Sequence, residues 1–222
     1  MGEYQAMTKV SYNQIAGGSL ERLAALSDGL FAIAMTLLVL DLKLPGAAGI
    51  HSERELAQGL VLLGPRLLMF AMGFLTLGIF WTGQQTQLRH FARGDRNLGW
   101  IHLAFLFAAS VMPFSTMLLA EFLAYRLALL VYWVNILALG ATLYFSWRYA
   151  VRASLLKDDV SHATSCAIER RILIAQALYA LGALFCVWNT LASIGFIFAL
   201  QLYYAIAPRL RFGAGSDRKS EV

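Results

Sequence analysis

Six apolar runs, at residues 20–44, 59–81, 98–119, 126–147, 168–187 and 190–207, leave this chain few folds to choose from. A helix needs about 20 apolar residues to cross a hydrocarbon layer of ~30 Å, and each run comes close to that length. Inside a bilayer the backbone N–H and C=O groups must find partners within the segment, so runs of this kind fold as helices. With 59% hydrophobic and 14% charged residues among 222, the chain also lacks the polar surface of an ordinary soluble domain. The expected fold class is an all-α integral membrane protein with six transmembrane helices. Only Trp188 and Asn189 separate the last two runs, which sit near the short limit. A helical hairpin fits them best, with a re-entrant pair as the alternative.

Three segments follow from this pattern: a cytoplasmic N-terminal segment at 1–19, a membrane domain at 20–208, and a tail at 209–222. The tail is rich in Gly, Ser and charge and is expected to be disordered. Residues 1–18 are polar and the first apolar run lacks a small-residue cleavage site, so that helix is expected to stay in the mature chain. If the N-terminus is cytoplasmic, six crossings leave only Lys43, Arg54, Arg66 and Arg126 of the eighteen basic residues outside. Basic loops tend to remain cytoplasmic, which predicts a multi-pass protein of the cell membrane with both termini inside. The sequence pI near 9.4 then reflects topology, and no nucleic-acid partner is expected.

The loops leave little room for chemistry. Residues 45–58 form the only sizeable outer connection, and no dinucleotide fingerprint, phosphate-binding loop, zinc-protease motif or nucleophile elbow occurs. Neither an enzyme nor a cofactor is expected, and no permanent metal site. Cys166 and Cys186 read as free thiols. Asn135, Gln176, Asn189 and Gln201 read as polar glue between helices. Trp133, Trp147, Trp188, Tyr125, Tyr144 and Tyr149 read as interface anchors. Gly73 and Gly78 permit close helix packing.

The first apolar run carries the unusual residues. Asp28 is costly at membrane depth unless paired, which makes it a candidate functional residue; alternatively, Ser27 and Asp28 start a helix at the membrane edge. At roughly 100° per residue with Ile33 as zero, Leu40 falls near −20°, Leu37 near +40° and Thr36 near −60°. Asp28 lies near −140° and Ser27 near 120°, off that stripe. One face is thus apolar with a single hydroxyl, and the other carries a polar pair that neighbouring helices must satisfy. Ordinary helix packing and a pore lining both fit such a stripe.

Arg22, then Leu26, Ser27 and Asp28, then Ala32, Ile33, Thr36, Leu37, Leu38, Val39 and Leu40, resemble the first-helix signature of the transmembrane protein 175 family of potassium channels. In that signature an Arg is followed, after three residues, by Phe-Ser-Asp; here Leu26 stands for the Phe. Phe80, Trp81, Asp95, Trp100, Pro113 and Phe114 resemble its pattern through the next two spans. Gln84 and Gln85 stand where the family often has His, and His102 where it commonly has Asn. The resemblance implies a homotetramer in which four first helices meet on an axis. Ile33 would form the narrowest ring, Leu37 and Leu40 further apolar rings toward the outside, and Thr36 would offer hydroxyl oxygens to a passing K⁺. It also implies that Arg22, Ser27, Asp28, Trp81 and His102 hold the pore helix, with Gln84 and Gln85 as further partners. His102 is equally readable as a satisfied interfacial histidine, and a pH sensor is a third option. The partners implied are potassium ions, the lipid bilayer and three further copies of the chain.

No filter sequence of the carbonyl type is present, so selectivity would rest on how much water an ion must shed at an apolar ring. That predicts a leak-like conductance moderately favouring K⁺ over Na⁺. The alternative function is a secondary transporter of monovalent cations or protons. It would call for an internal repeat with broken helices, and the last three spans carry no copy of the Ser-Asp motif.

Overall fold

The computed structural model describes residues 19–43 and 50–206, and among these residues seven α-helices form a bundle. They are α1 (Leu20–Leu37), α2 (Glu53–Leu62), α3 (Gly64–His90), α4 (Arg96–Glu121), α5 (Arg126–Arg152), α6 (His162–Leu184) and α7 (Thr190–Ile206). Short 3-10 turns extend α1 (Leu38–Asp41) and α6 (Phe185–Val187). With those turns counted, five spans are long and apolar enough to cross a membrane, and α7 is a shorter apolar helix. The predicted end segments, 1–19 apart from Ser19 and 209–222, lie outside the described residues.

Local chemistry explains where the helices begin. Ser19, Asp95 and Ser161 each accept the backbone N–H three residues on, from Arg22 (3.2 Å), Leu98 (2.9 Å) and Thr164 (3.1 Å). Each side chain satisfies one of the donors a helix start leaves unpaired. The outer connection, read from sequence as a loop over 45–58, holds α2 from Glu53 onward. Ser52 caps it by accepting the Glu55 N–H (3.3 Å), and the Glu55 carboxylate reaches back to the His51 N–H (2.7 Å). That reciprocal cap starts a helix in a segment too polar for an apolar-run criterion to find. The His51 N–H first, and then the Ser52 hydroxyl, hold the Glu55 carboxyl below its ordinary pKa.

The second span also differs from its predicted bounds of 59–81. Pro65 opens α3 in its first turn, where a missing N–H costs nothing. At the other end α3 runs on to His90, because its glutamines are bonded rather than exposed to lipid: Gln84 and Gln87 are buried, and the Gln87 amide donates to the Leu143 carbonyl (3.0 Å).

Packing is organised around α4 and α5, with α1 held against α3 and α4. Phe31 meets Phe105 at a centroid distance of 5.7 Å, amid buried Met69, Met72, Leu77 and Met112. Pro113 interrupts the α4 ladder, and Asn135 of α5 lies across the break. With its nitrogen facing the Ala108 carbonyl (2.8 Å), its oxygen accepts from the Met112 N–H and the Ser115 hydroxyl (both 3.1 Å). A second polar knot joins three helices: the Thr76 and Tyr132 hydroxyls meet at 2.8 Å, and the Gln201 amide donates to both (2.7 and 3.1 Å). Asn135 and Gln201 are thus the interhelical glue their sequence positions predicted. Gln201→Leu is expected to lower stability by only about 1 kcal/mol, since Thr76 and Tyr132 keep each other and such bonds average ~0.6 kcal/mol in membranes. Thermal unfolding in detergent checks this, and a loss comparable to a core cavity would contradict it.

Trp147 is a correction. Predicted to anchor at the membrane interface, it is fully buried, stacked on Phe91 at 6.0 Å with its indole N–H on the Ser165 hydroxyl (3.1 Å). It closes a small second core where the 91–95 and 153–161 connections meet, pinned by Ala92 N–H to Leu155 (2.8 Å) and Lys157 N–H to His90 (2.9 Å). An amphipathic ring fits both settings, so hydropathy alone does not separate them.

Candidate pore helix and its polar anchor

α1 has two sharply different sides. Ser27, Phe31, Ala34 and Leu38 are buried, and at about 100° per residue they lie between about 100° and 160° from Ile33. Ile33 is 62% exposed, Leu37 45% and Leu40 65%, and Thr36 is exposed with them. The predicted stripe is therefore the side of α1 that the chain's own core leaves uncovered. Thr36 donates its hydroxyl hydrogen to the Ile33 carbonyl (2.8 Å). Its oxygen has no donor among the described residues.

One element of the stripe changes with the helix type. The turn from Leu38 to Asp41 is 3-10, which advances about 120° per residue with ~2.0 Å rise. Leu40 accordingly sits directly over Leu37, near +40°, instead of the −20° an uninterrupted α-helix would give. It stays on the exposed side.

The opposite side is fastened by amides. The Ser27 hydroxyl donates to Gln84 Oε1, and the Gln84 nitrogen lies 3.3 Å from His102 Nδ1. Ser146 Oγ lies 3.4 Å from His102 Nε2. An amide nitrogen only donates, so the imidazole proton is assigned to Nε2, pointing at Ser146. A buried chain of hydrogen bonds thus runs through α1, α3, α4 and α5. Beside it, Asp28 Oδ1 accepts from the Trp81 indole (2.7 Å) and the Gln85 amide (2.6 Å). Two donors from α3 on one carboxylate oxygen fix the rotation of α1 about its own axis, and hence the direction in which Ile33 points.

Ser27 and His102 are linked through Gln84, and Asp28 is held beside them by Trp81 and Gln85. Arg22 does not join them. Its backbone N–H completes the Ser19 cap, and its exposed guanidinium has no hydrogen bond or ion pair among the described residues. Ser146, between five and six turns into α5, was not singled out from sequence. A lone serine in an apolar run gives no signal until its partner is known.

At the end of the bundle where α1 finishes, Arg66 pairs with Glu121 at 2.7 Å. Arg126 caps the end of α6 through the Val187 carbonyl (3.0 Å). The opposite end carries Arg89, Arg93, Arg96, Arg152 and Lys157, and the Arg148–Glu169 pair at 3.4 Å. The two ends thus differ in basic charge as the loop count predicted.

Comparison with known proteins agrees with this architecture. Residues 22–113, from α1 to the α4 proline, match the family model described as the endosomal/lysosomal potassium channel TMEM175. A potassium channel of Chamaesiphon minutus is 30% identical over 189 residues, covering 83% of this chain and 93% of that protein. One of Streptomyces collinus is 33% identical over 165 residues, covering 72% and 77%. The crystal structure of the Chamaesiphon minutus homologue of the lysosomal potassium-selective channel TMEM175 superposes with a TM-score of 0.74 at 28% identity, over 84% of this chain and 96% of that one. Sequence, span pattern and superposition agree: this multi-pass membrane protein belongs to the TMEM175 family.

Proposed function

We propose that the chain forms a potassium-conducting channel in which four copies of α1 surround a central axis. Residues 20–208 are the channel domain, crossing the cell membrane six times with both termini cytoplasmic. α7, at seventeen residues, is about 26 Å long and spans with slight thinning of the bilayer. Relatives named potassium channels support the ion. The observation that carries the pore reading is the uncovered Ile33 face of α1, set opposite a polar network that holds it in register.

On this reading Ile33 forms the narrowest ring, Leu37 and Leu40 line the outer half, and Thr36 oxygens face the axis. An apolar ring offers no oxygens to replace water, so passage depends on the cost of dehydration. K⁺ holds its water less tightly than Na⁺ and crosses more readily, with less discrimination than a carbonyl filter provides. Among the described residues no helix carries the spaced arginines of a voltage sensor, so conductance should depend weakly on voltage.

Purified protein in planar bilayers under opposing K⁺ and Na⁺ gradients tests this. Ile33→Asn is expected to raise conductance several-fold and to bring the reversal potential toward zero as the two ions become equivalent. A reversal potential and conductance indifferent to the change would remove Ile33 as the constriction. Saturating, coupled flux without unitary currents would make the protein a carrier.

A further inference from the structure

On either flank of the exposed α1 stripe lies a surface of opposite shape. On one side, α4 presents Trp100, Leu103, Phe107, Phe114 and Met117, all exposed and spaced by three, four or seven residues along one helix face. Phe107 is the most prominent, at 71% exposure. On the other side, α1, α3 and α6 enclose an open groove of about 680 Å³. Ala32, Gly78 and Gly83 make its wall shallow, and Phe74 and Trp81 border it. A ridge of aromatic rings and a groove floored by small residues stand about one helix apart on the same molecule.

The groove is poorly suited to lipid. Asp28 lines it and is exposed within the single chain. Its Oδ1 takes both the Trp81 and Gln85 hydrogen bonds, while Oδ2 has no partner among the described residues. A carboxylate oxygen facing hydrocarbon costs several kcal/mol, so such groups face protein or a water-filled cavity. The ridge fits as that cover. It is mostly apolar, it adjoins the face proposed to surround the pore, and Trp100 brings an indole N–H without an acceptor among the described residues.

We propose that the α4 aromatic ridge of one copy seats in the α1–α3 groove of the next, so that the tetramer is built by a head-to-tail contact repeated four times. This rests on the proposed arrangement of α1 about an axis. In such a ring the two flanks of α1 necessarily meet each other, and a contact between unlike faces closes when the rotation is a quarter turn. Each subunit then completes the cover over its neighbour's Asp28, which makes the anchor of the pore helix a shared property of two chains.

Cysteine cross-linking tests the pairing on the full chain with Cys166→Ser and Cys186→Ala removing the native thiols. Phe107 lies about 17 Å along α4 from its Arg96 end, and Gly78 about 18 Å along α3 from its His90 end, so both sit at one depth. Gly78 has room for a side chain, its nearest neighbour being the Met35 methyl at 4.0 Å. Phe107→Cys combined with Gly78→Cys is expected to give an oxidised ladder running from monomer to tetramer, while either alone stays monomeric. Phe107→Cys linking to itself, or a ladder ending at dimer, would overturn the head-to-tail contact. Ile33→Cys in the same background separates the two ideas. If it cross-links while the mixed pair does not, the axis stands and this pairing falls; if neither does, both fall.

Discussion

Asp28→Ala is expected to be among the most damaging single changes in the molecule, costing about 2–5 kcal/mol of stability and abolishing conductance. The reason lies with the two donors left behind. Trp81 and Gln85 both point at one carboxylate oxygen, and a polar group deprived of its partner away from water costs about 1–3 kcal/mol. Asn keeps an acceptor oxygen in place, so Asp28→Asn should lose roughly half as much. The sharper test removes all three polar groups together. Asp28→Leu with Trp81→Phe and Gln85→Leu should unfold at a higher temperature than Asp28→Leu alone, because no donor is stranded. Thermal midpoints by fluorescence-detected size exclusion report stability, and bilayer recordings report conductance. A triple variant weaker than the single one would show that the carboxylate serves by its charge and not as an acceptor.

Gly73→Val should have an effect of similar size through shape alone. A Cβ at Gly73 would lie 2.7 Å from Thr116 Oγ1, 2.9 Å from its methyl and 3.0 Å from a Leu38 methyl. These contacts come from α4 and from the turn that ends the pore helix, so the crossing has no slack. Overpacking costs about 1–3 kcal/mol, while leaving Gly for Ala in a helix returns up to ~1 kcal/mol. Gly73→Ala should therefore destabilise mildly. Gly73→Val, with two more carbons, should exceed 3 kcal/mol and shift Leu38, and with it the outer end of the stripe. Gly195→Ala is the control: its Cβ meets nothing within 4 Å, and its thermal midpoint should hold or rise. Equal behaviour of Gly73 and Gly195 variants would refute the close crossing.

Gly73 and Gly78 show how far sequence could reach. Both were read as sites of close packing, yet only Gly73 is tight; at Gly78 a side chain would meet just one methyl, at 4.0 Å. A helix position gives the identity of a small residue, whereas the closeness of its neighbour depends on how three helices cross. Ser146 and Trp147 make the same point about polar and aromatic groups. They are adjacent in an apolar run, and only the fold assigns one to His102 and the other to a buried core.

What the sequence determined by itself was whatever the bilayer enforces on any chain: helical spans where apolar residues run long, an end rich in basic residues, and a carboxylate that must find donors. The periodicity of one helix was enough to separate the Ile33 stripe from Ser27 and Asp28. Tertiary structure alone decided that Gln84 serves Ser27 and Gln85 serves Asp28, that the span ends in a 3-10 turn stacking Leu40 on Leu37, that α2 forms in the polar connection, and that Arg22 stands apart. These depend on contacts between residues some fifty positions apart, such as Trp81 with Asp28. The energy of such a contact exists only once the helices have met, so no local pattern in the chain encodes it.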